Sequence, residues 1–229
     1  IERLPLRELY AFGRGYWYIV ALCVVFYAAV FPFRSFAIDY FQQAHGLGRE
    51  AAGLLSSLLP MAAIVATPLF GLWADRSGKR ALFMLVGTLV MLPLFLAATY
   101  LPAGPAVGLP FTDAAVPLTL LAVMLALGVV FSLIPAVMWP AVAYIVEERR
   151  LGSAYSLMTF CQQIGWALVP LAIGALNDGY QAGPQNVAGY APGMWFYTAL
   201  SAVGLFFAWR LWRLEAGAAH GQPGATARD

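Results

Sequence analysis

The chain has 229 residues, of which 62% are hydrophobic and only 10% charged, with a formal net charge of +2. A soluble domain carries roughly 25% charged residues, so the water-facing surface of such a protein cannot be built from this composition. The small positive balance does not point to nucleic acid either, because no basic run is interleaved with aromatics that could meet bases.

Residues 1–15 alternate Arg with Leu and Pro and lack the long apolar core of a signal peptide, which reads as an interfacial linker leading into a helix. Charges are then absent from Gly15 to Phe33, Ala51 to Ala74, Ala81 to Thr112, Ala114 to Val146, Leu151 to Asn177 and Gly179 to Trp209. About 20 apolar residues cross a bilayer, so each stretch supplies one spanning helix. Allowing for turn-rich ends, the helices are expected near Tyr16 to Phe36, Ala51 to Leu72, Ala81 to Leu101, Val116 to Val146, Ser153 to Leu176 and Met194 to Leu214. The fourth stretch is long for one straight crossing, and Pro135 and Pro140 are expected to kink it where freed carbonyls can meet a cavity. Residues 16–214 thus form one all-α, six-helix transmembrane bundle. Residues 215–229 are Gly, Ala and polar, too poor in apolar surface to order themselves, and are expected to be a free, disordered tail and a true chain end.

Six spans put both termini on one side of the membrane. Basic residues concentrate in short cytoplasmic segments. With the amino terminus inside, Arg3, Arg7, Arg14, Arg76, Lys79, Arg80, Arg149, Arg150, Arg210, Arg213 and Arg228 are cytoplasmic, and only Arg34 and Arg49 lie outside. Tyr16, Trp17, Tyr18, Trp73, Trp209 and Trp212 then fall near the inner interface and Tyr100, Tyr180, Tyr190 and Trp195 near the outer one, as aromatic belts require. The linker and the tail are accordingly both cytoplasmic.

Polar and helix-breaking residues are unevenly shared. Pro32, Ser56, Ser57, Pro60, Thr67, Pro68, Ser132, Pro135, Pro140, Thr159, Gln162, Gln163 and Pro170 fall in the first, second, fourth and fifth helices, whereas the third and sixth are nearly uniform hydrocarbon. Polar groups are costly in lipid, so the first, second, fourth and fifth should line something wet or packed and the other two should face lipid. Trp139, beside Pro140, is placed to stack on a solute or simply to pack. Gln162 and Gln163 point about 100° apart, so one of them faces the cavity; the choice falls on Gln162. Ser56 and Ser57 offer hydroxyls to a solute or back-bond to their own helix, and Tyr27 lies one turn inside Phe31. Arg34 is a cation near the mouth, yet it lies roughly 27 Å along the helix from Tyr16, where arginine also snorkels to the interface. Cys23 and Cys161 fall inside helices without metal spacing and read as packing thiols. No Ser/His/Asp arrangement, paired mid-membrane carboxylates, zinc-spaced His or phosphate-cradling Gly loop is present, so neither an enzyme nor a metal or cofactor site is expected.

The most specific segment is Gly71-Leu-Trp-Ala-Asp75-Arg76-Ser-Gly78-Lys79-Arg80, between the second and third helices. It resembles the G-x-L-x-D-R-x-G-K/R-R loop of the major facilitator superfamily, in which such a loop follows the second helix of each six-helix half. Its physical logic is readable: Gly71 permits close helix approach, Asp75 can accept bonds at the positive amino end of a neighbouring helix, and Arg76, Lys79 and Arg80 hold the inner surface. Lys79 and Arg80 serve equally well as a topology-setting basic pair. Val30-Phe31-Pro32-Phe33, Met138-Trp139-Pro140-Ala141-Val142-Ala143 and Leu151-Gly152-Ser153-Ala154-Tyr155 are similar to the second half of the lysosomal dipeptide transporter group and its bacterial relatives, over about residues 15 to 210. Glu147-Glu148-Arg149-Arg150 departs from that pattern in being more charged. The echo of Val24-Val25-Phe26 by Val129-Val130-Phe131 agrees with an inverted three-plus-three repeat.

The resemblance implies helices seven to twelve of a twelve-helix secondary carrier, working against an absent N-terminal half within a lipid bilayer. It implies a small polar solute, in the first place a dipeptide, moved by alternating access, with a bacterial inner membrane expected ahead of a lysosomal one. No carboxylate or His lies at mid-membrane, so either the coupling site is in the other half or the solute gradient alone drives transport. A non-transporting scaffold or assembly subunit, or a carrier for another organic solute, are the competing readings.

Overall fold

A computed structural model describes residues 12–108 and 115–219. Six long helices follow one another: α1 (Arg14–His45), α2 (Arg49–Ser77), α3 (Arg80–Tyr100), α4 (Leu118–Ile145), α5 (Leu151–Gly179) and α6 (Ala191–Ala219). Each is long and apolar enough to cross a bilayer. The pair β1 (Ala106–Gly108) and β2 (Ala115–Pro117) forms a small antiparallel ladder between α3 and α4, which the sequence reading did not foresee. Single 3-10 turns, Glu148–Arg150 and Val187–Tyr190, lead into α5 and α6.

The helices run further than their apolar cores. α1 has 32 residues, roughly 48 Å at 1.5 Å per residue, because nothing in Ser35–His45 breaks it once the bilayer is crossed. It stops at Gly46, whose φ of 63° closes the turn with its N–H on the Phe41 carbonyl. Gly78 ends α2 in the same way, at φ 67° with its N–H on the Ala74 carbonyl; a residue with a Cβ is strained there. Pro135 and Pro140 both lie within the single helix α4. α6 continues past Leu214 to Ala219, so the segment expected to be a free tail is helical in its first turn, and residues 220–229 lie outside the described part. Of the expected linker, residues 1–11 lie outside it as well.

α1 packs against α5 and α6, and α4 packs against α2 and α3, while α3 and α6 also meet. Exchanging each helix for the one three places on maps this pattern onto itself, which is the three-plus-three repeat. The two echoing triplets meet in space, with the Phe26 and Phe131 rings stacked at 5.2 Å and 17° between planes. Close approach is set by glycine. A Cβ on Gly128 of α4 would strike the Leu59 carbonyl oxygen and come within 2.8 Å of the Ala62 methyl of α2. Gly71, expected to serve this purpose, would meet nothing within 4 Å in the described residues, because its side of α2 is turned away from the rest of the bundle.

Candidate functional site

Six aromatic side chains from α1, α4 and α5 form a continuous wall. Tyr27 and Phe31, one turn apart on α1, stack at 5.4 Å. Phe31 meets Trp166 of α5 at 4.6 Å and Phe131 of α4 at 6.0 Å. The Trp139 indole N–H donates to the Tyr27 hydroxyl at 3.0 Å, and the Tyr155 hydroxyl donates to the Trp139 carbonyl at 3.0 Å. Trp139 and Tyr155 also stack at 5.9 Å. These bonds fix the indole between three helices, which is how an aromatic surface is preorganised. Tyr27 accepts a bond from Trp139, and among the described residues its own proton has no acceptor, so the wall keeps one donor to offer. No residue of α3 or α6 takes part.

The other polar candidates are placed differently. Gln162 is buried against α1, where its Oε1 receives the Cys23 thiol at 3.6 Å. Its neighbour Gln163 is the exposed amide of the pair. Ser56 is buried and donates to the Arg34 carbonyl at 2.9 Å, tying α2 to α1. Ser57 back-bonds to the Gly53 carbonyl at 2.9 Å. Arg34 is exposed. The structure therefore brings Tyr27 and Trp139 together and leaves Gln162, Ser56, Ser57 and Arg34 outside the wall. Phe31, Phe131, Tyr155 and Trp166 were not singled out from the sequence as site residues. One signal was available, since Tyr155 and Trp166 are 11 residues apart and so lie on one face of a helix.

At the joint between α2 and α3, the Gly71–Arg80 loop is organised by Arg80. Its Nη2 lies 2.8 Å from Asp75 Oδ1 and 2.9 Å from the Tyr144 hydroxyl at the end of α4. The guanidinium also covers the Tyr144 ring at 3.9 Å. Asp75, expected at a neighbouring helix terminus, is thus bound to Arg80 while its side chain stays 66% exposed. The amino end of α3 is capped from elsewhere, the Ala81 N–H donating to Glu215 Oε2 of α6 at 3.0 Å. Arg76, Gly78 and Lys79 are exposed. In the charged turn after α4, Glu147 accepts from Arg149 at 2.7 Å with Arg150 at 3.9 Å. The Arg149 guanidinium holds the Glu147 carboxyl below the usual carboxylate range.

Six apolar spans in a three-plus-three repeat, with this loop between the second and third, define one half of a major facilitator fold. The sequence matches the Major Facilitator Superfamily over residues 18–228, and the chain belongs to that family as a multi-pass integral membrane protein. Among curated proteins it is similar to the lysosomal dipeptide transporter MFSD1 of Homo sapiens and of Gallus gallus, each 28% identical over 177 residues. Those matches cover 77% of this chain and 35% and 37% of the two relatives. The protein of the same name in Danio rerio is 28% identical over 179 residues, again 77% of this chain and 35% of the relative. The chain spans about a third of the length of the curated relatives it matches.

Proposed function

We propose that this six-helix half belongs to a secondary transporter that moves a small polar solute, dipeptides in the first place, by alternating access against an N-terminal six-helix half of the same protein. The reading places it in a bacterial inner membrane, with the Gly71–Arg80 loop and both termini on the cytoplasmic side, and gives it no enzymatic role. The observation that carries it is the hydrogen-bonded aromatic wall that α1, α4 and α5 build together. A site near the midplane between two halves serves both sides in turn, and a wall of rings with one free donor suits a peptide, whose faces are flat and whose carbonyls accept. Trp139 and Tyr27 are the contacts this half supplies, with Gln163 as the amide turned outward. Gln162 and Ser56 act by holding α5 and α2 to α1. The described carboxylates sit near helix ends, so transport is either coupled through the other half or driven by the solute gradient alone as a uniporter.

The test is uptake of a labelled dipeptide by the full-length protein in liposomes, with and without a proton gradient. Trp139→Ala and Tyr27→Phe should each weaken dipeptide affinity about ten-fold or more, the equivalent of roughly 1 to 3 kcal/mol for a lost buried contact. Wild-type affinity in both variants, or no uptake by the unaltered protein, overturns the proposal.

A further inference from the structure

The basic end of α6 carries a feature that transport does not use. Trp209, Arg210, Trp212 and Arg213 are all exposed there. Both guanidiniums rest on aromatic rings: Arg210 lies 5.4 Å from the Tyr18 ring of α1 and donates from Nη2 to the Tyr18 hydroxyl at 2.8 Å, and Arg213 lies 5.0 Å from the Trp209 ring. Among the described residues neither has a carboxylate within ion-pair reach. The acid nearest in sequence, Glu215, is turned toward the Ala81 N–H. Three residues apart, the two arginines point about 60° from one another around α6 and are separated by about 4.5 Å along it. Trp209 and Trp212 share this turn of α6 and Trp17 precedes Tyr18 on α1, each between 37% and 38% exposed.

We infer that Arg210 and Arg213, braced by Tyr18 and Trp209 at the α1–α6 seam, form a binding site for the phosphate headgroup of an anionic phospholipid. Interfacial tryptophans fix the depth of this end of α6 at the headgroup level. A snorkelling arginine needs only water, and holding its plane against a ring serves no such purpose. A guanidinium laid on a ring, with its remaining edge donors turned outward, is preorganised for the paired oxygens of a phosphodiester. Two such cations without a counter-charge among the described residues leave the local field unbalanced, and the leaflet supplies what balances it. A free phosphate would satisfy the same donors, but it would leave the three exposed indoles without the acyl and glycerol groups that cover them when the anion belongs to a lipid.

The experiment is native mass spectrometry of the full-length protein in detergent, titrated separately with phosphatidylglycerol and phosphatidylcholine. The wild type should retain phosphatidylglycerol in preference. Each arginine near an anionic surface contributes on the order of five-fold, so R210Q/R213Q should lower phosphatidylglycerol affinity by about 25-fold and abolish the preference. R49Q, which removes a base at the opposite end of the bundle, should leave it intact. R210K/R213K keeps the charge without the stacked fork and should retain only part of it. Equal retention of the two lipids by the wild type overturns the inference whatever the variants do. So does a preference that survives R210Q/R213Q, an equal loss in R49Q, or displacement of the lipid by inorganic phosphate at matching concentration. If R210Q/R213Q does not fold, the wild-type titration and R210K/R213K decide, an undiminished preference in the lysine variant counting against the stacked guanidiniums.

Discussion

Tyr27 and Trp139 show how much one side chain depends on neighbours that the linear sequence does not name. The indole of Trp139 is held by a hydroxyl from α1 and stacked on a ring from α5, and neither partner follows from the motif in which Trp139 sits. The glutamine pair makes the same point in reverse. That Gln162 and Gln163 diverge was legible; which one faces inward was not, because it depends on α1 lying where Cys23 reaches Gln162. With Cys23 and Cys161 replaced by Ser, Gln163→Cys should react with a membrane-impermeant maleimide and Gln162→Cys should not; equal labelling would contradict the burial seen here. Close approach was assigned from the motif to Gly71, whereas the glycine that meets a neighbouring helix's backbone most closely in the described residues is Gly128, which sits in an apolar run without any flag. Gly128→Ala must push α2 and α4 apart, so it should cost about 1–3 kcal/mol and lower the thermal midpoint.

At the scale of the helices and their joints, existence was legible and ends were not. Twenty uncharged residues cannot be anything but a span, so all six helices were found. Their ends depend on Gly caps, on projection beyond the bilayer, and on tertiary contacts such as Glu215, whose bond to the Ala81 N–H holds the sixth helix beyond its apolar core. The joint between α2 and α3 has the more specific consequence. Arg80 is shared by Asp75 and Tyr144, so the loop stays clasped to α4 even when Asp75 lets go. An exposed ion pair of this kind contributes only about 0 to 1 kcal/mol, which would suit a contact broken on each cycle of the proposed transport. We expect Asp75→Asn to reduce transport several-fold with membrane insertion intact, since about 1 kcal/mol suffices to shift a balanced two-state carrier. Tyr144→Phe keeps the ring under the guanidinium and loses only the hydroxyl, so its transport rate should fall less than that of Asp75→Asn. Transport assays on both variants, normalised to inserted protein, check the order.

The whole molecule is organised by the exchange of α1–α3 with α4–α6. Gly87 of α3 approaches Ile134 of α4 as Gly204 of α6 approaches Val25 of α1, so the repeat reaches into the packing although the two halves share little sequence beyond one triplet. Inversion makes the α2–α3 loop and the α5–α6 segment structural equivalents at opposite ends of the bundle, yet chemically they are opposites. The first carries Arg76, Lys79 and Arg80; the second, from Gly179 to Tyr190, carries no Lys or Arg. A three-helix unit of this shape has no intrinsic up or down, and the insertion machinery can tell its two copies apart only by such charges. Gln185→Lys together with Val187→Arg, on a segment at the other end of the bundle from the Gly71–Arg80 loop, should therefore blur that distinction. A fraction of chains would then thread backwards, detectable as protease-accessible Gly183–Asn186 turns on both faces of the membrane.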